Sequence, residues 1–67
     1  MGNVYAAANT RFNVALALAQ AGRLADAREY AHAALRNFQS YGGRAADKEQ
    51  ETEGLITEIE QELKRNA

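Results

Sequence analysis

The chain contains no cysteine, no proline and no tryptophan. Without cysteine, neither a disulfide framework nor a thiolate metal site can staple it, and no thiol nucleophile is available. Without proline, the strong helix breakers that remain are the five glycines. A surplus of one charge is also missing. Eight Lys and Arg against nine Asp and Glu leave a formal net charge of −1, which gives no electrostatic footprint for nucleic acid or an anionic membrane. The longest nearly apolar run, Val14–Ala21, is interrupted by Gln20 and falls far short of the ~20 residues a membrane span needs. No basic region precedes an apolar block at the N-terminus, so no secretory signal is expected. Met1-Gly2 opens like a myristoylation start, but residue 6, where Ser or Thr is needed, is Ala6. These absences lead to the expectation of a soluble, cytoplasmic protein that binds neither nucleic acid nor membrane.

What the chain does contain favours helix. Ala, Leu, Glu, Gln and Arg dominate, and the apolar fraction of 46% is ample for a folded core. Sixty-seven residues make one small domain, residues 1–67, near the lower limit for a self-sufficient core. The glycines divide it. Asn3 can cap a first helix that runs to about Ala21, and Gly22 supplies the left-handed residue that ends it. A second helix starts near Leu24, with Leu24, Ala27, Ala31, Ala34, Leu35, Phe38 and Tyr41 recurring at three- and four-residue steps. Gly42-Gly43 stops it, because paired glycines carry a large backbone entropy cost inside a helix. A third helix spans 44–65, with a narrow seam of Thr52, Ile56, Ile59 and Leu63 and with Leu55 beside it. Two short connections make the neighbours antiparallel. The fold class expected is therefore all-α, an antiparallel three-helix unit. Its core is drawn from Val14, Leu18, Leu24, Ala27, Ala34, Leu35, Phe38, Ile56 and Ile59.

The helices differ in how much surface they can bury. Phe12, Val14, Ala15, Leu16, Ala17, Leu18 and Ala19 wrap most of the first helix, the pattern of a helix contacted on more than one face. The third carries seven acidic and four basic residues from Arg44 onward. Its outward face, Asp47, Glu51, Glu58 and Glu62, reads as solvated. A greasy first helix and a polar last one suit the end of a stack, with an inner surface for neighbours and a cap toward water.

Residues 8–41 resemble one tetratricopeptide repeat, a helix pair with a period of about 34 residues. The resemblance rests on Asn13-Val14-Ala15 followed by Leu18, the turn glycine Gly22, then Ala27, Glu29-Tyr30 and Ala34-Leu35. It implies that Ala15, Ala27 and Ala34 sit where the paired helices come closest. There are departures. Arg11, with Phe12 beside it, stands where the family has a large aromatic, Ala31 replaces a second aromatic, and the closing proline near Gln39 is absent. A long second helix followed by a charged third one, 44–65, resembles the C-terminal repeat plus capping helix of large bacterial multi-repeat proteins. The resemblance implies a groove lined by first helices that holds a peptide. Here its side chains would be Asn9, Phe12, Asn13, Leu16 and Gln20. Asn13 matches the family's groove asparagine, whose amide donates and accepts hydrogen bonds at once.

Catalysis finds little support in the residues. Glu29-Tyr30-Ala31-His32 has the Glu-x-x-His spacing of di-iron bundles, but such sites need a second pair, and His32 is the only histidine. Arg28, His32 and Arg36 step by four along one line, which reads as an exposed face flanking the core. Thr10, Ser40, Thr52 and Thr57 have no histidine near them in sequence, so a catalytic triad has no visible members. No phosphate-cradling Gly-x-x-x-x-Gly-Lys pattern occurs. The expected function is a protein-protein interaction module without cofactor or metal, a terminal unit that caps a repeat array and adds to its peptide groove. The alternative is a self-associating structural module, a homodimer through the open face of helix one at Phe12 and Leu16. The seam of the third helix could also pair as a coiled coil, but two heptads are few and Gly54 weakens the helix by ~1 kcal/mol relative to Ala.

Overall fold

The structure, a computed structural model, describes residues 3–66; Met1-Gly2, read above against a myristoylation start, and Ala67 lie outside them. Three helices follow one another: α1 (Val4–Gln20), α2 (Leu24–Tyr41) and α3 (Ala46–Asn66), the last entered through a 3-10 turn, Gly43–Ala45. The Asn3 side chain accepts a hydrogen bond from the Ala6 backbone N–H at 3.0 Å, satisfying one of the orphan donors of the first turn. At the other end of α1, Gly22 takes φ 82°. Its N–H donates to the Ala19 carbonyl (3.1 Å), and the Arg23 N–H donates to the Leu18 carbonyl (2.9 Å). These paired bonds form a Schellman closure, which turns the chain back at once into α2.

Alanines let α1 and α2 approach closely. Ala8 and Ala15 from α1, and Ala27, Ala31 and Ala34 from α2, are fully buried. The small residues expected at the crossing, Ala15, Ala27 and Ala34, lie where no solvent reaches them. α3 then covers one side of the hairpin with Leu55, Ile56 and Ile59, which join Ala15, Ala27 and Ala31 in the larger of two core clusters. A smaller cluster gathers Ala8, Ala34, Phe38 and Ala45, with Tyr5 and Phe12 packed against it. Phe38 is 0% exposed, and burying a side chain of this size is worth about 1.5–3 kcal/mol. Tyr5 meets the Phe38 ring edge-on, with centroids 5.6 Å apart, and also touches Tyr41 at 5.1 Å.

Several expectations change in the packed unit. Of the anticipated core, Ala27, Ala34, Phe38, Ile56 and Ile59 are buried, but Val14, Leu18, Leu24 and Leu35 are only half-buried. Leu55, expected beside the α3 seam, is inside it at 7% exposure. Thr52 is fully buried and donates its hydroxyl to the Lys48 carbonyl of its own helix at 2.7 Å. On the outward face, Asp47, Glu51 and Glu58 are exposed, whereas Glu62 is half-buried. Its Oε1 is shielded from water and faces Arg65 Nη1 at 2.9 Å, an ion pair without good hydrogen-bond alignment. Gly54 is exposed, has a negative φ and has open space where a Cβ would stand, so neither its conformation nor its packing requires glycine.

Candidate interaction surfaces

Two sides of α1 flank the Ala8–Ala15 line that meets α2. The first is the arc of Asn9, Phe12, Asn13, Leu16 and Gln20. At 3.6 residues per turn these five share one face, but they do not share one environment. Asn13 and Gln20 are exposed, and Asn9 is half-buried. Among the described residues, none of these three amide side chains hydrogen-bonds within the chain. They leave a strip of donors and acceptors facing outward. Phe12 and Leu16 are half-buried against the core that α3 helps to form. The Lys48 ammonium of α3 lies over the Phe12 ring at 5.1 Å. Phe12 and Leu16 are thus partly covered rather than fully open, with the start of α3 beside Phe12.

The second surface lies on the other side of the hairpin. Val4, Ala7, Arg11, Val14 and Leu18 form a stripe along α1 at three- and four-residue steps. From α2, Tyr30, Ala33 and Asn37 join it. Val4 is 39% exposed and Tyr30 44% exposed, large apolar surfaces for a chain of this size. Arg11 sits in the middle of the stripe and donates from Nη1 to the Asn37 Oδ1 at 2.8 Å across the two helices. Arg11, Glu29, Tyr30 and Ala33 line a shallow concavity of about 260 Å³. The periodicity showed that α1 is apolar nearly all round, but it could not show which of its two flanks α3 would take.

A further groove runs between α2 and α3, lined by Arg28, Thr57, Glu60, Gln61, Leu63 and Lys64, with a volume of about 490 Å³. The Glu29/His32 pair does not build a site: Glu29 is exposed and His32 is half-buried. Among the described residues, no three His, Cys, Asp or Glu side chains come together as a metal-holding group. No helix among them is long and apolar enough to cross a membrane. Searched against known proteins, the chain is matched by no family model, no curated protein and no solved structure.

Proposed function

We propose that this chain is a non-catalytic protein-interaction module of the cytoplasm, a tetratricopeptide-like terminal unit that closes one end of a stack of helical hairpins. The observation that carries this reading is the one-sided covering of the hairpin. α3 packs on the side of the hairpin where its Lys48 lies over Phe12, while on the opposite side Val4 and Tyr30 are exposed. A hairpin in mid-stack needs neighbours on both flanks; a terminal one needs a neighbour on one flank and a polar cover on the other. α3, with exposed Asp47, Glu51 and Glu58, fits the cover. The amides of Asn9, Asn13 and Gln20 would then extend the stack's peptide-binding face by one unit.

Fusing the full chain behind three idealised tetratricopeptide repeats tests the reading. Stacked neighbours unfold as a coupled system, so the fusion should melt in one transition above the midpoint of the repeats alone. Val14→Asp should split that transition. Two independent transitions in the unaltered fusion would overturn the proposal.

A further inference from the structure

The open flank carries one feature that says what should cover it. Arg11 lies at the centre of the Val4, Ala7, Arg11, Val14, Leu18 stripe, already half-buried, with a neutral amide oxygen as its hydrogen-bond acceptor. Among the described residues it forms no ion pair. Glu29 lines the same concavity but is exposed at its rim. Covering the flank with a purely apolar surface would strip water from the guanidinium and leave its charge uncompensated, a costly arrangement. A carboxylate arriving with the partner would compensate it, and the planar guanidinium can bind both oxygens of that group at once.

We infer that the open flank binds an amphipathic helix that places an Asp or Glu opposite Arg11, between apolar residues that cover Val4, Val14 and Tyr30. The same placement disfavours a second copy of this chain. A two-fold axis that lays the stripe antiparallel on itself matches its ends and sets Arg11 against Arg11 of the other copy. The expected occupant is therefore a different helix, acidic at its centre. This inference rests on the open flank of the terminal-unit reading but concerns the chemistry of what binds there.

The test uses the full chain and three 18-residue Ala/Leu-rich amphipathic peptides that are identical except for a central Glu, Gln or Lys. Binding is followed by fluorescence anisotropy. The Glu peptide should bind at least about tenfold more tightly than the Lys peptide, with Gln between them. Arg11→Glu, checked for retained helicity, should reverse the order, and Val14→Asp should weaken all three. Equal affinities for Glu and Lys, an unchanged order in Arg11→Glu, or no binding at all would each overturn the inference. The fusion with tetratricopeptide repeats reports separately. Coupled melting without a charge preference leaves the terminal-unit reading standing alone, and a charge preference without coupled melting leaves the helix-binding flank standing alone.

Discussion

The Lys48 ammonium rests 5.1 Å from the centroid of the Phe12 ring, so the start of α3 is tied to the middle of α1 by a charge over an aromatic face. Phe12 also packs against both core clusters, which makes it the side chain that joins them. The two residues should differ in cost. Phe12→Ala should destabilise by about 1.5–2 kcal/mol, less than a fully buried ring would cost, because the half-buried ring fills space that the alanines around it cannot. Lys48→Ala should cost about 0.5–1 kcal/mol, the range of a partly exposed cation–π contact. Urea melts of the two variants check the ordering.

At the α1–α2 crossing, Ala27→Leu and Ala34→Leu should each destabilise by about 1–3 kcal/mol, because both positions are fully buried and added bulk forces the helices apart. Glu51→Leu, at an exposed site, should fall within about 0.5 kcal/mol of the parent. Equal midpoints for all three in a denaturant titration would remove the case for a close crossing.

The glycines separate into opposite cases. Gly54→Ala should stabilise the chain by about 0.5–1 kcal/mol, since α3 is regular there and a Cβ meets nothing. Gly22→Ala should destabilise it, because φ 82° is a conformation that L side chains rarely adopt. Thermal unfolding followed by circular dichroism should move in opposite directions for the two.

Thr52→Val should be neutral or slightly stabilising. The Thr52 hydroxyl is fully buried and donates only back to the Lys48 carbonyl of its own helix, so removing it leaves no polar partner stranded. A loss above about 1 kcal/mol in a chemical melt would show that this hydroxyl does more than satisfy itself.

The helices and both glycine turns were legible in the sequence because their signals are local. Asn3 caps by reaching three residues ahead, and Gly22 ends α1 through its own backbone dihedrals. Side assignments were not legible. Phe12, Leu16, Val14 and Leu18 all belong to the apolar circumference of α1 and all four are half-buried, and no local signal says beside which of them the start of α3 comes to lie. Phe12 and Leu16 read as open surface in the sequence, yet they are half-buried against a core cluster to which α3 contributes. Leu16→Lys, a change that would only detach partners from an exposed face, should therefore also lower stability. Ala8 and Ala45, which the periodicity did not single out, are buried because Phe38 and its aromatic neighbours close over them. The Arg11–Asn37 bond spans 26 positions and has no signature in either local segment.

Among the described residues, α2 alone has an extensive interface on each side: it packs along α1 and along α3, which touch one another sparsely. Contacts are thus made mainly between elements adjacent in the chain, a topology of low contact order that favours rapid folding. It also sets an order of unravelling. α1 can lift away while α3 stays on α2, and the reverse, but α2 loses its structure only when both have gone. Native-state hydrogen exchange should find the slowest amides in the middle of α2, around Ala31 and Ala34, with both outer helices opening at lower free energy.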